Sequence, residues 1–129
     1  MNLALLRVEG EVEMLELIAE HMDLKQEQRW RAGEERSHGA PYRTSGFSTT
    51  VADSPNPAEM VAKIREFLAT CRSRSTDFLD VQAELSVGIT VGDEKQYIAV
   101  LDFSHTVLRQ LADLGITLSI AAYPAGVPE

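Results

Sequence analysis

The sequence predicts an α+β domain, with one mostly antiparallel sheet and helices packed on it. Three observations carry this. The last third contains stretches that alternate apolar and polar residues with a period of two, the mark of a half-buried strand. Two helix starts carry capping signals, at Asn56-Pro57 and at Ser104. Helical and extended segments interleave in the order β-α-β-α-β-β-α-β, with ferredoxin-like elements. At 129 residues the chain is predicted as one domain, 1–129. That length can bury roughly two thirds of the unfolded surface without a metal or disulfide staple.

Residues 3–8 are an apolar run with one Arg, which fits a buried strand. Gly10 punctuates, and 11–24 read as an amphipathic helix. Val12, Leu15, Ile18, Ala19 and Met22 make one stripe, while Glu13, Glu16, Glu20, Asp23 and Glu27 fall on another. Like charges at these spacings repel, by roughly a few tenths of a kcal/mol per pair. The acidic arc therefore reads as a solvated face. The sharper alternatives are a docking stripe for a basic partner and a divalent-ion site, although no EF-hand loop accompanies it.

Residues 25–43 hold no sustained helical period. Gly33, Gly39, Pro41 and mixed charge predict a long loop, with a short strand near Trp30. Phe47, Thr49 and Val51 share one face of a predicted strand over 47–51. Ser54-Pro55 breaks it. Asn56, Pro57 and Glu59 supply an N-cap, an N1 proline and a capping-box acid for a helix over 57–72. Met60, Val61, Ile64, Phe67, Leu68 and Cys71 continue it at helical spacing, which makes Cys71 a small core residue.

The last block is predicted as strand, turn, strand, helix, strand. Leu85, Val87, Ile89 and Val91 alternate with polar or small residues. Gly92-Asp93-Glu94 offers turn chemistry. Residues 96–103 then read as the second arm of a hairpin, apolar on both faces and so interior. Ser104 caps a helix whose Val107, Leu108, Leu111, Ala112 and Leu114 recur at helical spacing, with Phe103 and Leu108 placed for a hydrophobic staple. Gly115 stands at the C-cap. Ile116, Leu118, Ile120 and Ala122 alternate in a closing strand. A split βαβ is the nearest plan for this block, and the tail 124–129 is expected to fray.

The net charge is −8, unevenly spread: −5 over residues 1–24, +3 over 25–74 and −6 over 75–129. An acidic chain disfavours nucleic acid as the main partner. No apolar run approaches the ~20 residues of a membrane span, and no charged leader precedes an apolar run at the N-terminus. The lone Cys71 fits a reducing compartment. The expectation is a cytoplasmic protein without membrane contact. His21, His38 and His105 lack metal-site spacing, Gly-x-Ser-x-Gly is absent, and no cofactor motif is present. Neither a catalytic nor a metal-binding residue is assigned.

Several stretches together resemble the bacterial family catalogued as domain of unknown function 4279. They are the early strand and helix ending near Asp23-Leu24, Arg31-Ala32-Gly33, Ser45-Gly46-Phe47, the middle helix, and Leu101-Asp102-Phe103-Ser104 through Leu111-Ala112-Asp113-Leu114-Gly115-Ile116. The resemblance covers nearly the whole chain. It implies a bacterial protein and no site residues.

Two functions fit these observations. One is a non-catalytic protein-interaction module, of the kind that neutralises a partner as immunity proteins do. The other is a small-anion-binding protein or enzyme with its site in 25–43. Either way, the candidate binding residues are Arg29, Trp30, Arg31, Arg36, His38, Tyr42 and Arg43, an arginine and aromatic cluster in a locally basic segment. The competing account has the arginines neutralise Glu13, Glu16, Glu20 and Asp23. A homodimer is also expected, because an open edge strand invites pairing.

Overall fold

A computed structural model describes residues 1–36 and 38–126. The elements are β1 (Asn2–Gly10), α1 (Val12–Met22), β2 (Gln28–Trp30), β3 (Ser45–Asp53), α2 (Pro57–Ser73), β4 (Gln82–Val91), α3 (His105–Leu114) and β5 (Ile116–Pro124). They build one five-stranded sheet in the order β2-β3-β1-β4-β5. Every pairing is antiparallel except β4 with β5. This is the α+β architecture that the residue pattern predicts.

The local signals act as expected. Asn56 Oδ1 accepts from the Ala58 and Glu59 amides, at 2.8 and 3.4 Å, and starts α2. Ser104 Oγ accepts from the Val107 amide at 3.3 Å and starts α3. Gly115 closes α3 with φ of 78°, a left-handed value that costs glycine little. α1 ends at Met22 because Asp23 is itself left-handed, φ 54°.

The core lies on one face of the sheet. Ala4, Leu6 and Val8 of β1, Phe47 of β3, and Ala83, Leu85, Val87 and Ile89 of β4 point to it. Leu15, Ile18 and Met22 of α1, Met60, Ile64, Leu68 and Cys71 of α2, and Val107 and Leu111 of α3 cover it. Among the described residues the opposite face carries no helix. It presents Arg7, Glu9, Gln28, Ser48, Glu84, Ser86, Gly88, Thr117, Ser119 and Tyr123.

β1 is antiparallel to both β3 and β4, so β3 and β4 run parallel with β1 between them and α2 joining them. This split βαβ sits in the middle of the chain. The last block, where the residue pattern had placed it, is instead a direct βαβ, β4-α3-β5.

Residues 96–103 correct a second expectation, for they form no strand. β1 and β5 occupy both hydrogen-bonding sides of β4, so no position beside it is left for a hairpin arm. The Asp93 carboxylate accepts from the Gln96 amide at 2.6 Å and turns the chain away. The Gln96 and Asn2 carboxamides then bond each other, at 2.8 and 3.1 Å, and Gln96 also donates to Thr90 O at 2.6 Å. Ala99, Leu101 and Phe103 pack on the core, but Tyr97 and Ile98 are 76% and 75% exposed. An extended segment crossing the end of a core keeps the alternation of a strand without its ladder.

The tail is more ordered than expected up to Gly126. Pro124 ends β5, and the Ala125 amide donates to Val91 O at 2.7 Å. Residues 127–129 of the expected frayed tail lie outside the described residues.

Candidate functional site

Segment 25–43 does contain a strand, and its register decides which side chains meet. Gln28 pairs with Ser48, Arg29 with Phe47 and Trp30 with Gly46. Paired residues share a face, so Gln28 and Trp30 go to the open face and Arg29 to the helix side. Gly46 makes this possible. A Cβ there would stand 2.6 Å from Trp30 Cε2 and 2.7 Å from Val8 O, so only glycine lets the indole lie on the sheet.

A chain of contacts grows from that indole. The Arg7 guanidinium lies 4.5 Å from the Trp30 ring centre. The Tyr42 ring stacks on Trp30 at 5.4 Å with 21° between planes. The Arg36 guanidinium lies 5.0 Å from the Tyr42 ring centre. Cations over aromatic faces are held by the ring quadrupole, by about 0.5–1 kcal/mol where exposed. Trp30 is only 7% exposed, and its Nε1 is buried without a hydrogen-bond partner.

Backbone bonds hold the segment over this stack. Gly33 N donates to Tyr42 O at 2.8 Å, and Tyr42 N to Glu34 O at 3.1 Å. Ala32 N donates to Ser45 Oγ at 3.0 Å. Glu9 ties the base: its carboxylate accepts from Arg7 Nε at 2.8 Å and from Thr44 Oγ1 at 2.8 Å. Burial pushes the Glu9 carboxyl upward. The Thr44 and Arg7 hydrogen bonds, with the charges of Arg7 and Arg36, outweigh that and hold it below its ordinary value of 4.5.

Of the seven residues predicted for a site, Trp30, Arg36 and Tyr42 meet. Arg29 and Arg31 line a separate hollow at the sheet edge beside Glu16 and Glu34 of about 160 Å³. Arg43 borders a shallow depression with Glu11 and Thr44. His38 is exposed. Sequence reasoning missed Arg7 and Glu9, which sit more than twenty residues before Trp30. Their only signal was charge within an otherwise apolar strand, and only the β1–β3–β2 register brings them to the indole.

No close ion pair among the described residues joins the arginines of segment 25–43 to Glu13, Glu16, Glu20 or Asp23. Among the described residues the ion pairs are Arg7–Glu9 and Lys63–Glu59. Arg29, Arg31, Arg36 and Arg43 are exposed and form none.

The other chemistry-bearing residues serve the fold. His21 Nε2 lies 2.6 Å from Arg74 O, so it must carry the proton and donate, linking the ends of α1 and α2. Cys71 is fully buried, and burial pushes its thiol up to about 11. A disulfide reagent is expected to label it only as fast as the protein unfolds; labelling at the rate of free thiol would contradict its burial. No group of three or more His, Cys, Asp or Glu able to hold a metal occurs among the described residues. No helix among them is long and apolar enough to cross a membrane.

No family model matches the chain, and neither a curated protein nor a solved structure matches it.

Proposed function

We propose that this protein is a non-catalytic protein-interaction module. Its recognition surface surrounds Tyr42 and Arg36, with the buried Trp30 beneath them, and its partner presents an acidic segment. The observation that carries this is Arg36, exposed and in no ion pair among the described residues, lying on the Tyr42–Trp30 stack, with Arg29, Arg31 and Arg43 likewise exposed and unpaired on the same segment of a chain of net charge −8. Tyr and Trp side chains give large contacts at low entropic cost, and arginine is enriched with them at interface hot spots. A local positive patch attracts an acidic surface, while the rest of the chain repels it. An immunity-type role, neutralising that partner, is the finer form of the proposal. It is motivated by the small size and net charge of −8, and it goes with a cytoplasmic setting.

The alternative, a small anionic ligand, has weaker support. The hollow beside Arg29 and Arg31 is about 160 Å³, below the ~300–1,000 Å³ of most ligand sites. A larger hollow of about 660 Å³ on the open face sets Glu9 and Glu84 against Arg7, which suits no anion.

The test is an NMR titration of the isotope-labelled protein with a short Glu-rich peptide and with a Lys-rich one of equal length. Saturable shifts at Trp30, Arg36 and Tyr42 with the acidic peptide, weakened by salt, are expected. Shifts only with the basic peptide, or none with either, overturn the proposal.

A further inference from the structure

We infer that the chain forms a two-fold dimer through the outer edge of β5, with its two copies antiparallel about Ile120 and α3 packed against its copy. This does not rest on the recognition surface proposed above, which lies at the other edge of the sheet. Among the described residues β5 pairs with β4 on one side and with nothing on the other. It runs nine residues, Ile116–Pro124. Not one of them is charged, and proline stands only at the end. Natural edge strands that stay single are short, bulged, covered or charged, and this one is none of these.

The helix above offers a matching flank. Thr106, Arg109, Gln110 and Asp113 of α3 border a hollow shared with Leu68 and Arg72 of α2. At 3.6 residues per turn, Leu108 and Ala112 lie on the flank away from α2. α3 packs on β5, while α2 packs inward on β1 and β3, so that flank looks out past the sheet edge. Leu108 is 47% exposed and Ile120 48%. A strand edge without a charged residue and a helix flank bearing Leu108, Ala112 and His105 thus form one border two layers thick.

A second copy is the occupant that fits. An isologous interface must not repel itself, and this border is neutral in a chain of net charge −8. A partner recognised by charge would find nothing here to read. A lone extended peptide would satisfy the strand but leave Leu108 and Ala112 uncovered. A second copy brings a strand and a helix at the same relative spacing, and its Ile120 meets Ile120 across the axis.

The experiment is light scattering coupled to size exclusion at high micromolar concentration, on the wild type, Ile120→Lys and Leu108→Lys. The wild type is expected at twice the 14.2 kDa chain mass, and each variant at the single-chain mass with unchanged far-UV circular dichroism. A wild type at single-chain mass overturns the inference, as does a dimer that survives either substitution in folded protein. Should a variant unfold, hydrogen exchange on the wild type decides. Alternate β5 amides over 118–122 are expected to gain protection as concentration rises, and protection independent of concentration overturns the inference.

Discussion

The two edges of the sheet are managed in opposite ways. β2 is three residues long, carries Arg29, and has its Trp30 covered by Tyr42, which backbone bonds tie to Gly33 and Glu34. β5 is nine residues long, uncharged and bare. Charge, stacked aromatic rings and loop length are concentrated at the first edge, while the second carries no charge and a single exposed ring, Tyr123. The lesson is that an edge can be closed from within or left for another chain, and side-chain chemistry records which. The guarded edge should resist substitution poorly because its parts interlock. The bare edge should tolerate it in the monomer.

The largest effect is expected from Trp30→Ala. Truncating a buried indole costs about 3 kcal/mol or more. Tyr123→Ala at the bare edge, where the ring is largely exposed, should cost under about 1 kcal/mol. Urea melts of both variants check this, and equal losses would erase the contrast between the edges.

Gly46→Ala comes next. Its new Cβ would strike the indole and Val8 O, so overpacking of about 1–3 kcal/mol is expected. In the double variant with Trp30→Ala the two losses should not add, because removing the ring removes half of the clash. Strict additivity would mean that the ring does not lie over Gly46.

The guarded edge should also titrate. The Glu9 carboxyl is held below 4.5 in the folded state. Its stabilising contribution is therefore complete above pH 4.5 and is lost as pH falls through the lower folded-state value. Glu9→Gln should flatten that acid limb in stability measured against pH. An unchanged limb would remove Glu9 from the network.

The smallest effect is expected from Arg29→Gln, Arg31→Gln and Arg36→Gln together. These exposed guanidinium groups make no ion pairs, so the triple change should move stability by at most ~1 kcal/mol while weakening the acidic peptide. A loss of several kcal/mol would make the segment structural instead.

Much of this fold was legible along the chain. The α2 and α3 caps at Asn56, Ser104 and Gly115, the inward stripe of α1, and the alternation in β4 and β5 are all readable within a few residues. The site was legible only in part. Trp30, Tyr42 and Arg36 stood out by type and by their crowding in a basic segment. Arg7 and Glu9 did not, because nothing local distinguishes a charged residue on an open sheet face from one at a frayed end.

What the residues determined by themselves is local. Capping, helical stripes and period-two alternation depend on neighbours a few positions away, whose geometry is the same in any fold. What the tertiary structure alone decided is pairing. Segments 82–91 and 96–103 both read as strands, the first by alternation and the second as an apolar run, yet only the first lies in a ladder, because β1 and β5 take both sides of β4. Alternation reports that one face of an extended chain is buried. Which backbone groups bond to it depends on strands up to 87 residues away, as Asn2 is from Ile89, and so on which of them reach the sheet.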